Sequence, residues 1–222
     1  MTRPIARPVI FDLDGTLIDS APGIRAAVNL MLAGEGLAPL DLPTVTSFIG
    51  HGLPRLVARV MAARAIPATE HARLTDLTRA HYDAAPAAAT EPYPGVADAL
   101  ATLRDRGHPL GLCTNKPEGP ARAILRDLGL LPHFAAVVGG DRLPVLKPDP
   151  APLLACLAEI GHTAPAVFVG DSEVDAATAH AARVPFLLFT EGYRKASVAD
   201  LAPAASFDDH ARLPALIAAL PG

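Results

Sequence analysis

The 222-residue chain has no tryptophan, 5% aromatic residues and only two cysteines. So few aromatics weigh against an aromatic-rich β-sandwich and favour helices packed around a modest sheet. Cys113 and Cys156 sit in apolar surroundings with no partner at metal-ligand spacing. They read as core thiols, not a disulfide, and fit a reducing compartment. Apart from His51, discussed below, the histidines are scattered without metal-ligand spacing. No block of Lys and Arg exists to follow a phosphodiester backbone, and the net charge is −4, so nucleic acid is not an expected partner. No apolar run is long enough for a bilayer, and the opening MTRPIARPVIF lacks a signal-peptide core. The expected location is the cytoplasm, with no membrane partner. An anionic substrate would have to be drawn in by local cations and helix N-termini, because the overall field is unfavourable.

What the chain does have is alternation. Short apolar runs at residues 8–14, 108–115, 135–140, 166–171 and 185–190 each close on Gly, Asp, Asn or Thr and read as buried strands. Between them lie helical stretches, two of which end at Gly107 and Gly129. The expected fold is α/β, a Rossmann-like parallel sheet with helices on both faces and reactive groups at the carboxyl ends of the strands. Residues 20–90 break the pattern and read as all-helical, with helices after Ser20, around 53–65 and over 69–85. The Pro/Ala-rich stretch 84–95 reads as a return linker. The expected division is a catalytic core of residues 1–19 and 91–222 with a helical cap domain at 20–90.

The strongest local signal is Asp12-Leu13-Asp14-Gly15-Thr16 directly after the first strand. Residues i and i+2 of a strand share a face, so Asp12 and Asp14 point the same way. Two such carboxylates repel unless a cation lies beside them, and Mg²⁺ held by carboxylates, phosphate and water is the natural one. Gly15 allows the chain to turn sharply away.

Asp12-x-Asp14-Gly15-Thr16 resembles the first motif of the haloacid dehalogenase superfamily phosphatases. Thr114 resembles the second motif, Lys147 in LPVLKPDP the third, and Gly170-Asp171-Ser172-Glu173-Val174-Asp175 the acidic fourth. The resemblance covers essentially the whole chain. It implies that Asp12 is the nucleophile forming an acyl phosphate and that Asp14 serves as general acid, then base. Thr114 and Lys147 would then bind phosphate and stabilise developing charge. It also implies a Mg²⁺ site at Asp12, Asp14 and Asp171, with Gly170 and Asp175 in support; Asp175 would orient metal-bound water or Lys147. Asn115 is a candidate phosphate or cap-closing contact. Lys116 is open between a phosphate contact and a solvated lysine.

Within the superfamily, TSFIGHGLPRLV, CTNKP and the tail TEGYR are similar to phosphoglycolate phosphatases. That resemblance implies hydrolysis of 2-phosphoglycolate, a small phosphorylated metabolite, by a monomer or homodimer. The substrate's carboxylate calls for a second anion site in the cap, for which Gly50, His51, Gly52 and Arg55 are candidates. A broad-specificity phosphatase, a pyrophosphatase and a β-phosphoglucomutase-like isomerase remain as alternatives. A phosphonate hydrolase would need a cap lysine for imine formation, and residues 20–90 contain none. A true dehalogenase would not need Asp14, and a non-catalytic scaffold would be expected to have lost one of Asp12, Asp14, Lys147 or Asp171.

Overall fold

A computed structural model describes residues 6–84, 90–161 and 165–221. The chain enters the fold at strand β1 (Val9–Phe11), turns at Gly15 and runs through a two-residue strand β2 (Ile18–Asp19) into helix α1 (Ala21–Gly34). Helices α2 (Leu42–Thr46), α3 (Leu53–Ala63) and α4 (His71–Asp83) follow. Strand β3 (Glu91–Pro92) pairs antiparallel with β2 and brings the chain back. Then α5 (Val96–Asp105), β4 (Leu110–Cys113), α6 (Glu118–Asp127), β5 (Phe134–Val138) and α7 (Ala151–Ile160) alternate. The chain closes with β6 (Val167–Gly170), α8 (Glu173–Ala182), β7 (Phe186–Phe189), α9 (Val198–Leu201), β8 (Ala205–Phe207) and α10 (Leu213–Ala219).

Six strands form one parallel sheet in the order β5-β4-β1-β6-β7-β8. The expected α/β sheet is therefore present, and all five anticipated strands lie in it. β8, α9 and α10 were not anticipated, nor was α2, which lies inside the connection before α3. Of the linker expected at 84–95, residues 85–89 lie outside the described residues.

Alternation of side chains across the strands builds a core on each face. Val9, Phe11, Leu110, Leu112, Val167, Val169, Leu187 and Phe189 join one buried cluster, which packs against α5, α6 and α10. Their neighbours Ile10, Cys113, Phe168, Phe186 and Leu188 join the other, against α7 and α8. Both cysteines are buried and free, as expected of core thiols. The helices between β2 and β3 have an apolar cluster of their own, centred on Val28, Met31, Val57, Val60 and Leu74. Among the described residues no helix is long and apolar enough to cross a membrane.

β1 lies in the middle of the sheet, hydrogen-bonded to β4 on one side and β6 on the other. Its carboxyl end therefore meets the ends of both neighbours, and Asp12, Thr114 and Asp171 fall together without any side chain having to reach far.

At the far edge of the sheet His210 is buried among Tyr93, Phe189 and Phe207, with ring centroids 4.4 Å from Phe189 and 5.3 Å from Phe207. Neither ring nitrogen has a hydrogen-bond partner. Burial pushes its pKa down from 6.5 to about 4. An unfolded chain thus takes up this proton near pH 6.5 and the folded chain only near 4, so stability falls as pH drops through that window. Between pH 7 and 5 the loss from His210 should be about 2 kcal/mol. Urea unfolding at both pH values should show that loss, and His210→Phe should reduce it; an unchanged slope in the variant would clear this residue.

Candidate active site

The turn after β1 is set by Gly15, which has φ +87°. A Cβ there would lie 2.5 Å from Asp171 Oδ2, so the loop approaches the β6 end as closely as only glycine allows. Thr16 is fully buried and donates its hydroxyl to Asp171 Oδ1 at 2.9 Å. The backbone N–H of Tyr193 donates to Asp171 Oδ2 at 2.6 Å. Asp171 is thereby held from two directions before any ligand is considered.

Asp175 begins α8 in a reciprocal cap with Ser172. Its Oδ2 accepts from Ser172 Oγ at 2.6 Å and from the Ser172 backbone at 3.1 Å, while Oδ1 accepts from Lys147 Nζ at 2.7 Å. Gly170 permits this packing, since a Cβ there would come within 2.5 Å of Asp175 Cβ. The Lys147 ammonium also lies 3.0 Å from Asp12 Oδ1, but off the hydrogen-bond axis, which leaves that buried oxygen without a hydrogen-bond partner.

Ligand oxygens of Asp12, Asp171 and Asp175 lie within 4.8 Å of one another. Three carboxylates face one ammonium, so two negative charges remain unbalanced. The consequence is a strong proton affinity. Burial, opposed by Lys147 and reinforced by Asp175, pushes the Asp12 carboxyl up to about 7. Burial, together with Asp175 and Asp12, pushes Asp171 well above the usual carboxylate range. Burial works against charge on Lys147, but Asp12 and Asp175 outweigh it and hold the ammonium protonated. A buried set of hard oxygens with an excess charge of two fits a divalent cation in both charge and donor type.

The acidic cluster differs from the expected metal set at one position. The Asp14 carboxylate points away from it and binds Lys116 Nζ at 2.9 and 3.1 Å. The strand ends at Phe11, so strand alternation does not extend to Asp12 and Asp14, and the turn at Gly15 leaves Asp14 lining the cavity beside Lys116. Lys116 is accordingly not a solvated lysine: its side chain is 10% exposed and lies under the Tyr82 ring of α4.

Asn115 is also resolved. Its Nδ2 donates to the carbonyls of Gly50 and Lys147 at 3.1 and 3.0 Å, and its Oδ1 accepts from the Lys147 backbone at 2.9 Å. Both ends of the amide are used, so the side chain joins the 47–52 loop to the core and is not free for phosphate. Thr114, at the end of β4, is buried and accepts from the Lys116 backbone at 3.3 Å, with its own hydroxyl hydrogen free to donate.

A cavity of about 240 Å³ opens beside these residues, between the sheet and the helices of residues 21–83. Asp12, Asp14, Thr114, Asn115 and Lys116 line its floor, and Ile24, Ile49, Gly50, Gly52, Leu53 and Leu56 its roof. His51 and Arg55 do not line it. α3 turns Leu56, Val57 and Val60 inward, which leaves Arg55 on the solvent face. His51 instead lies near Arg59, Arg55, Lys195 and Glu173, and burial, then these cations, lower its pKa. The cation of the helices at 21–83 that reaches the cavity is Arg79. Thr16, Tyr193, Tyr82 and Arg79 went unrecognised in the sequence. Thr16 carried a signal as the last residue of the Asp12–Thr16 motif and Tyr193 as part of the TEGYR string.

A family model for haloacid dehalogenase-like hydrolases matches residues 7–183. The chain belongs to that family. A phosphoglycolate phosphatase of Cereibacter sphaeroides (strain ATCC 17029 / ATH 2.4.9) is 53% identical over 211 residues, covering 94% of this chain and 96% of the relative. One from Rhodospirillum rubrum is 50% identical over 214 residues, covering 93% and 89%. Among solved structures, a predicted phosphoglycolate phosphatase from Haemophilus somnus 129pt superposes with a TM-score of 0.86 at 29% identity, covering 95% and 97%. In this hydrolase the family's acidic chemistry thus sits at the end of the central strand, under a helical roof.

Proposed function

We propose that this hydrolase is a magnesium-dependent phosphatase that converts 2-phosphoglycolate to glycolate and phosphate through an aspartyl-phosphate on Asp12. The observation that carries the reading is the buried Asp12 carboxylate, set at the cavity floor with the Lys147 ammonium 3.0 Å from its Oδ1 and Asp14 lining the same cavity. The substrate named by relatives about half identical to it supplies the rest. In this reading residues 20–90 act as the cap over a core of 1–19 and 91–222.

Asp12 attacks phosphorus and the ester P–O bond breaks, while Asp14 gives its proton to the departing glycolate oxygen. Asp14 then takes a proton from the water that attacks the acyl phosphate, which frees Asp12 and inorganic phosphate. Thr114 Oγ1 donates to a non-bridging oxygen, and Lys147 balances the charge gathering around Asp12. Asp12 and Asp171 would hold Mg²⁺; Asp175 fixes Lys147 and Gly170 gives Asp175 its room. When bound, the ion neutralises the phosphoryl oxygens and aligns them with the nucleophile.

The test is phosphate release from 2-phosphoglycolate, β-glucose 1-phosphate, pyrophosphate and an aryl phosphate, with Mg²⁺ and with EDTA. At least a tenfold preference for 2-phosphoglycolate is expected. Equal rates across the panel would discard the substrate, and no release at all would return the β-phosphoglucomutase-like alternative. EDTA should remove activity and added Mg²⁺ restore it. Asp171→Asn should raise the Mg²⁺ concentration needed by about 10–100-fold, the range typical of weakened metal coordination; an unchanged requirement would place the ion elsewhere.

A further inference from the structure

The substrate's carboxylate has no cation waiting in the position first expected, because Arg55 faces solvent and His51 lies off the cavity. Two cations do line the cavity, Arg79 and Lys116, against the carboxylates of Asp12, Asp14, Asp83 and Asp141. A wall with that excess of negative charge repels an anionic leaving group unless one fixed cation stands where the anion must sit. Arg79 is paired with Asp76 at 3.0 Å on the open side, its side chain 46% exposed. Lys116 is different in every respect. It is one of only three lysines in the chain, its side chain is nearly buried, and Gly140 N–H holds its carbonyl at 2.8 Å.

An ammonium has three donors in a fixed tripod. Two of the Lys116 contacts go to the Asp14 carboxylate at 2.9 and 3.1 Å. The remaining one is to the Tyr82 hydroxyl at 3.4 Å, near the limit of a hydrogen bond and the weakest of the set. Asp14, as general acid, must touch the leaving oxygen. In the phosphate ester of a 2-hydroxy acid, the carbon bearing that oxygen also bears the carboxylate. A carboxylate oxygen therefore falls about 3 Å from the leaving oxygen, within one hydrogen-bond length of a donor already resting on Asp14.

We infer that Lys116 is the specificity-determining residue that binds the carboxylate of the leaving group, exchanging its loose contact with Tyr82 for a charge-assisted bond to substrate. The inference rests on the phosphatase reading for its substrate but not for its geometry. It makes Lys116 a reader of one chemical class, esters whose carboxylate is attached to the carbon carrying the phosphate, and it makes Tyr82 of α4 the group displaced or shifted when such a ligand enters. Selection by a buried ionic contact of this kind discriminates by roughly 100-fold or more against a ligand that lacks the charge.

The experiment compares kcat/KM for 2-phosphoglycolate with that for 2-hydroxyethyl phosphate, which keeps the size and loses the charge, in the intact protein, Lys116→Met, Lys116→Arg and Arg79→Met. Both rates change in Lys116→Met, because Asp14 loses a neighbour; the quantity of interest is their ratio. The ratio should fall by about 100-fold in Lys116→Met, less in Lys116→Arg, and within threefold in Arg79→Met. Equal loss on both substrates in Lys116→Met would overturn the inference and reduce Lys116 to a support for Asp14. Collapse of the ratio in Arg79→Met alone would overturn it in favour of the cap helix. Calorimetric binding of the same two ligands to Asp12→Asn protein, with and without Lys116→Met, separates this inference from the catalytic reading. A Lys116-dependent binding preference without turnover would uphold it while the phosphatase reading failed. Identical preferences in the two proteins would overturn it whatever the turnover.

Discussion

Asp12→Asn is expected to abolish phosphate release and, in the absence of divalent cation, to make the protein more stable. The two effects come from the same crowding. In the proposed role of nucleophile Asp12 cannot be replaced by an amide, and removal of a nucleophile that acts as part of a unit lowers kcat by about 10⁴-fold or more. As one of three clustered carboxylates, Asp12 in its charged form is disfavoured by burial and by Asp175, which is why its pKa lies near 7 and not near 3.8. The sign follows from that displacement: the folded protein holds the proton up to about pH 7, the unfolded chain only to about 4, so the native protein loses stability as pH rises between them. Taken whole, the displacement is worth about 4 kcal/mol, and relaxation of the site reduces the realised gain to roughly 1–2 kcal/mol. Urea unfolding in EDTA at pH 8 should therefore favour the variant, and the difference should vanish near pH 4. Saturating Mg²⁺ should reverse the order, because only the native site gains from binding. Residual activity within tenfold of the intact protein would remove Asp12 as nucleophile. A variant less stable than the native chain in EDTA would mean that the cluster is not repulsive.

Lys147→Met is expected to have the largest cost to folding of any substitution at the site. The side chain of Lys147 is 1% exposed and that of Asp175 is fully buried, 2.7 Å away. Truncating the cation to an apolar chain of similar length leaves Asp175 buried without its counterion and removes the neighbour that favours charge on Asp12, a loss of about 3–5 kcal/mol. Packing is largely kept, since Met can fill the space over the Phe168 ring that the ammonium occupies at 5.3 Å. The destabilisation is therefore electrostatic, and combining Lys147→Met with Asp12→Asn should recover part of it at alkaline pH, where Asp12 would otherwise ionise beside Asp175. Activity of the single variant should fall by about 10²–10³-fold, the usual consequence of removing one group that meets developing charge. Thermal melting of the single and double variants checks both statements. Equal melting points for the two would show that the loss lies in packing.

Much of the site was open to reading because it is local. Asp12 and Asp14 lie two residues apart just past the end of β1, Asp171 and Asp175 four apart across a helix start, and short apolar runs mark the strands that lead to them. Periodicity is a property of neighbours in sequence, so it survives without coordinates. The elements that went unseen are those whose stability comes from elsewhere. β2 and β3 are two residues each and exist only because Ile18 meets Pro92 across the whole helical insertion. β8 and α10 are short, Ala- and Pro-rich segments that the sheet edge and the Phe189–Phe207 contact hold in place.

The sequence alone therefore located the acidic residues at the strand ends and the sheet that presents them, because each depends on spacings of a few residues. Tertiary structure decided the directions of the long side chains. Lys116, Arg55 and Arg79 are each on or beside a helix with several rotamers open to them. Lys116 turns inward because Asp14 and Tyr82 lie within its reach, 102 and 34 residues away in sequence. Arg55 turns outward because Leu56, Val57 and Val60 take the inner face of α3. A flexible cation goes to whichever charge and cavity the fold places near it, and that placement arises only when distant segments meet.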